Sequence, residues 1–217
     1  MNFVEKIKGA LSDPKNTLKS IAEEPMIEEA VVIVGVYAVL ASVAAYIQSY
    51  KITYVFEGFD NMPSSMQSLM TISAIVAALI VPFIIWFMVA GVIHLLSLAS
   101  GGDGRFYPQV VTIAGFSMLP MIFNGIISIG LFSMIEPQTI IISQSNPAAI
   151  NEITSNPSFI VSEIASIILQ IWSTVIFYFG IRSAHKLSSN SSAIIAAVPL
   201  LFSVISLIWT FRGIGIL

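Results

Sequence analysis

The chemistry this chain could do is concentrated in LASGGDGRFYPQVV, Leu98 to Val111, between two of its most apolar stretches. Gly101, Gly102 and Gly104, followed by Arg105, could in principle surround a phosphate with backbone amides. A phosphate loop needs G-x-x-x-x-G-K-[ST] between a strand and a helix, and here no lysine follows the glycines. The dinucleotide spacing G-x-G-x-x-G fails too, because Tyr107 occupies its last glycine position. The segment therefore reads as a tight turn whose glycines are free to take positive φ. Arg105 would lie beside lipid phosphates and Phe106 would anchor at the interface. A hinge is expected, not a cradle.

Other catalytic sets are equally thin. With no cysteine there are no disulfides, thiolate nucleophiles or cysteine metal sites. The histidines, His94 and His185, belong to no H-E-x-x-H pattern, and no serine sits in G-x-S-x-G. Asp13, Asp60 and Asp103 all fall outside the apolar stretches, so paired intramembrane aspartates are not expected either. No catalytic residue, cofactor or metal site is expected. A net charge of -3 without a basic patch gives no footprint for nucleic acid.

Four polar groups do fall within the apolar stretches: His94, Asn124, Glu163 and Gln170. Such groups are costly in lipid and should face the bundle interior. Glu163 reads as an interfacial carboxylate near a helix start or as an ion-coupling group. Asn124 and Gln170, near mid-membrane, could bond to each other across helices for about 1 kcal/mol or line a transport path. His94 lies about one turn from the glycine-rich loop and could bond there. Pro82, Pro120 and Pro199 read as kinks, made tolerable when neighbours satisfy the freed carbonyls, or as gating hinges.

The elements that must position these groups follow from composition. Of 217 residues 56% are hydrophobic and 10% charged, with mean hydropathy +0.91; soluble domains carry about 25% charged residues. The chain reads as an all-α integral membrane protein. Crossing the bilayer takes about 20 mostly apolar residues, and five segments qualify, at about 30–49, 69–99, 110–135, 159–181 and 193–211. Residues 30–217 thus form one five-span membrane domain. Residues 1–29 form a lead-in without a cleavable signal peptide. In it Phe3, Val4, Ile7, Ala10 and Leu11 recur at helical spacing, with Lys6 and Lys8 off the stripe. A second helix restarts at Asp13 and Pro14, with Leu18, Ile21 and Ala22 on one face. That face suits either the headgroup layer or packing on the bundle.

Lys6, Lys8, Lys15, Lys19, Arg105, Arg182 and Lys186 fall on one side of this arrangement, and only Lys51 and Arg212 on the other. Basic residues collect in cytoplasmic loops, so the amino terminus is expected inside and the carboxyl terminus outside. The connection Glu136–Ser158, rich in Ser, Asn, Gln and Pro, reads as a mobile external loop.

Three stretches together resemble a known family: LSDPKNTLKSIAEEP, SGGDGRFYPQVVTIAGFSMLP and IWSTVIFYFGIRSAHKLSSNSSAIIAAVPLLF. They are similar to the Yip family, the five-span Ypt/Rab-interacting proteins, in its short archaeal and bacterial branch. The resemblance implies a five-span fold, residence in a prokaryotic cell membrane and a non-catalytic role as a membrane scaffold. Its partners would be the lipid bilayer and either a second copy or other membrane proteins. Eukaryotic relatives bind prenylated Rab GTPases and carry a long amino-terminal region with an acidic Leu-Tyr-Gly-Pro motif. This chain has about thirty residues before its first span and no such motif, so GTPase binding does not carry over. The alternative expectation is a small transporter or channel using Asn124, Gln170 and Glu163.

Overall fold

The computed structural model describes residues 1–56, 64–143, 150–213 and 215; Asp60 and residues 144–149 lie outside the described residues. Two short helices open the chain. In α1 (Phe3–Ser12) the Asn2 side chain accepts from the Glu5 amide and Glu5 returns to the Asn2 amide, a reciprocal cap that satisfies two orphan donors. In α2 (Pro14–Glu23) Asp13 caps and Pro14 sits at the first position. Leu18 and Ile21 are fully buried, and α2 packs on the fourth span. Of the two fates open to this apolar face, the structure takes the bundle.

Among the described residues, five helical segments are long and apolar enough to cross a membrane. They comprise α3 (Ile27–Lys51), α4 (Ser64–Ala99), a third span from Phe106 to Ser133, α8 (Pro157–His185) and a fifth from Ser189 to Gly213. The third and fifth spans are each broken. A wide turn over Phe106–Val110 leads into α5 (Val111–Ser117), and α6 (Leu119–Ser133) follows after Met118. Likewise α9 (Ser189–Ala196) gives way after Ala197 to α10 (Val198–Gly213). Pro120 and Pro199 each occupy the second position after a break, where proline needs no amide hydrogen. Pro82, by contrast, lies inside an α4 that continues through it.

The core is concentrated at the end of the bundle that carries α1 and α2. Every residue of α5 is buried, with Ile113 against Gly180 of α8 and Gly115 against Ala30 of α3. A Cβ at Gly180 would collide with Ile113, which is why the two helices approach so closely. At the opposite extreme α10 contributes no buried residue. It packs chiefly on α8 and α9, while α4 packs chiefly on α3.

One expectation is corrected at the far end. The connection read as a mobile loop begins with β2 (Gln138–Ile142), which pairs in parallel with β1 (Ile52–Phe56), Ile52 opposite Gln138 and Phe56 opposite Ile142. The short α7 (Ile150–Thr154) follows, and Ile52, Ile140 and Ile153 close into a small separate core. The β-branched runs ITYVF and QTIII favour a pleated, half-buried surface, and pairing satisfies their backbone groups.

Candidate functional site

The glycine-rich loop proves to be built around a histidine. The carboxyl end of α4 closes with Gly101 at φ 85, the Gly102 amide donating to the Ser97 carbonyl and the Gly101 amide to the Leu98 carbonyl. This left-handed closure is the one place in the loop that needs positive φ. Gly102 and Gly104 are glycines for another reason. A Cβ at Gly102 would lie 2.8 Å from the His185 ring, and one at Gly104 would lie 2.7 Å from the Ala184 carbonyl oxygen. The expectation of positive φ thus holds for Gly101 only; close approach to the end of α8 fixes the other two.

His185 is fully enclosed. The Gly104 amide donates to His185 Nδ1 at 3.1 Å, and His185 Nε2 lies 3.4 Å from His94 Nδ1. A backbone amide can only donate, so Nδ1 carries no proton and Nε2 does. The pair then runs in one direction, from Gly104 through His185 to His94. Phe106 faces inward, against Phe87 and His94 with ring centroids 5.3 and 5.5 Å away. Phe106, expected as an interfacial anchor, thus forms part of the wall around the histidines. Arg105 donates its backbone amide to Gln109, whose side chain in turn donates to the Ala22 carbonyl of α2. Beside them Lys186 Nζ bonds Asp103 Oδ2 at 2.8 Å and holds that carboxyl below its ordinary range. With a lowered folded value, this exposed contact is present at neutral pH and is lost as pH falls through it. An exposed pair of this kind adds little.

One consequence is measurable. Gly104→Ala should cost about 1–3 kcal/mol in detergent thermal unfolding, the usual range for forcing an extra methyl into packed structure. Ser100→Ala, exposed in the same loop, should cost nothing measurable. Equal behaviour of the two would show that the loop does not clasp the end of α8.

The remaining polar candidates do not converge. Asn124 Oδ1 is buried without a hydrogen-bond partner among the described residues, and Gln170 lines a cavity to which Asn124 does not contribute. The expected Asn124–Gln170 bond is not among the bonds of the described residues. The buried polar link between α6 and α8 is Ser128 to Ser162, at 3.0 Å. Glu163 is exposed near the start of α8. A second link escaped the sequence entirely: Lys6 Nζ lies 2.7 Å from Glu29 Oε2, with side chains only 6% and 11% exposed. Reading Lys6 as off the apolar stripe concealed it; the acidic first turn of α3 was the available signal.

The cavity, about 540 Å³, is lined by all five spans, from Tyr37 of α3 and Pro82 and Trp86 of α4 to Gln170 of α8. Both span breaks border it, through Ser117 and Met118 on one side and Ala196 and Pro199 on the other.

These features define a polytopic helical membrane protein with a packed end built on a histidine-centred loop and an internal cavity between broken spans. The Yip1 domain family matches residues 8–210, and the chain belongs to that family. It is also similar to an uncharacterised protein of Methanocaldococcus jannaschii, 25% identical over 130 residues, which are 59% of this chain and 86% of the relative. No solved structure matches. Family membership points to a membrane-associated, non-enzymatic role.

Proposed function

We propose that the chain is a non-catalytic membrane scaffold whose α1–α2 end faces the cytoplasm of a prokaryotic cell. Residues 1–29 serve as its lead-in and residues 30–217 as its membrane domain, and it works by holding a second copy or another membrane protein. One observation carries this reading. At the α1–α2 end Lys6 pairs with Glu29, Lys186 with Asp103, and His185 with Gly104 and His94, all within the chain. The buried contacts among these, Lys6 with Glu29 and His185 with Gly104 and His94, rigidify a platform. The seven basic residues at that end support the orientation.

A photoreactive amino acid at Ile205 of α10 or Met88 of α4, both exposed apolar positions, tests it. Discrete protein adducts in native membranes are the expected result. Lipid adducts alone would count against a scaffold. The second reading, a transporter, rests on the cavity that reaches Gln170; solute uptake by proteoliposomes that a Gln170→Leu change abolishes would establish it instead.

A further inference from the structure

We infer that the cavity among the five spans binds an uncharged amphiphile drawn from the bilayer, a hydrocarbon body bearing one hydroxyl. Its walls set the class. No charged side chain lines it, so an ion or a charged headgroup would be desolvated without compensation. Three of its hydroxyls are already committed to carbonyls of their own helices: Ser117 to Ala114, Thr174 to Gln170 and Ser203 to Pro199. Ser173 is different. It is 4% exposed, its Oγ is buried with no hydrogen-bond partner among the described residues, and it borders the cavity with Gln170.

Two arguments weigh against water as the natural filling. At about 30 Å³ each, roughly 18 waters would occupy this volume, and each buried water needs two to four polar partners. The uncommitted donors of Ser173, Gln170 and Tyr37 fall far short of that. The opening is also apolar, since Val81, Ile85 and Phe202 border the cavity and are exposed on α4 and α10. Those two helices pack chiefly on other elements, so the entry faces lipid. A hydroxyl both donates and accepts, and therefore meets Ser173 and the Gln170 amide together, while the hydrocarbon fills the space between the Pro82 and Pro199 walls. The volume lies within the roughly 300–1,000 Å³ typical of small-molecule sites.

The test uses the full chain in phosphatidylcholine nanodiscs with two probes of equal length, a diazirine-bearing hexadecanol and a diazirine-bearing hexadecane. Crosslinks are mapped by mass spectrometry and normalised to those at Met88, which faces away from the core. The alcohol should label Met118, Met121 and Phe202 about fivefold more than the alkane, the ratio that one net hydrogen bond of about 1 kcal/mol gives. Unlabelled hexadecanol should compete. Ser173→Ala combined with Gln170→Leu should reduce the alcohol to the alkane level. Equal labelling of the unaltered chain by both probes overturns the inference whatever the variant does. So does modification of a Ser173→Cys chain by a water-soluble thiol reagent, which would mean a wet interior.

Discussion

Aspartate at both Leu18 and Ile21 is expected to release α1 and α2 from the bundle while all five spans stay inserted. Both side chains are fully enclosed, and Leu18 reaches the surface of α8 at Gly180, where Ile113 also packs. Two carboxylates cannot remain there, since an unpaired buried charge costs far more than the contact it replaces. Detachment is the cheaper outcome. Its cost includes the lost burial of one leucine and one isoleucine, about 1.5–3 kcal/mol each, together with the remaining α1–α2 contacts and the Lys6–Glu29 pair. The readout is proteolysis of the first 26 residues in sealed membranes, with resistance to carbonate extraction reporting the spans. A segment as protected as in the unaltered chain would mean that this face buries nothing.

Glu29→Ala should lower stability by about 3–5 kcal/mol, the cost of leaving one member of a buried ion pair without its partner. Lys6 is too enclosed for bulk water to compensate, at 6% side-chain exposure. The pair is not for that reason strongly stabilising in itself. Replacing both members, as Lys6→Met with Glu29→Leu, should recover most of the loss because the desolvation of two charges is removed with their attraction. Thermal unfolding of the detergent-solubilised chain decides the matter. A loss under 1 kcal/mol in the single variant would show a solvated pair, and a double variant no better than the single would show that the two residues do not act as a unit.

The five spans were legible because crossing a membrane is a matter of length and composition, which the chain displays directly. The two lead-in helices were legible for a related reason: Asp13 and Pro14 mark a start whatever the surroundings. Where the apolar face of α2 would go was not, since lipid and protein interior attract Leu18 and Ile21 alike. Cross-helix partners were the weakest reading. The choice of Asn124 and Gln170 rested on the cost of amides in lipid, yet pairing depends on how α6 is rotated against α8. Gly125 fixes part of that rotation by admitting Leu40 of α3, whose Cβ would lie 2.7 Å from an added methyl. The serines at 128 and 162 then face each other. The glycine loop was legible at Gly101 alone, for Gly102 and Gly104 answer to His185, some eighty residues downstream. The strands β1 and β2 pair across a similar separation, and neither run alone announces a partner.

The breaks at Met118 and Ala197 bear on how this protein meets membranes of different thickness. A straight span longer than the hydrocarbon layer tilts as a whole, dragging its packing with it. Here α5 and α9 contribute buried residues while α10, beyond the second break, contributes none. Mismatch therefore falls on α10, which follows the turn at Ala197 and packs chiefly on α8 and α9. In a thinner bilayer α10 would lean, while α6, held between α3 and α8, stayed in place with α5, α9 and the histidine-centred loop. The packed end thus sets the protein's anchoring depth, and α10 its reach.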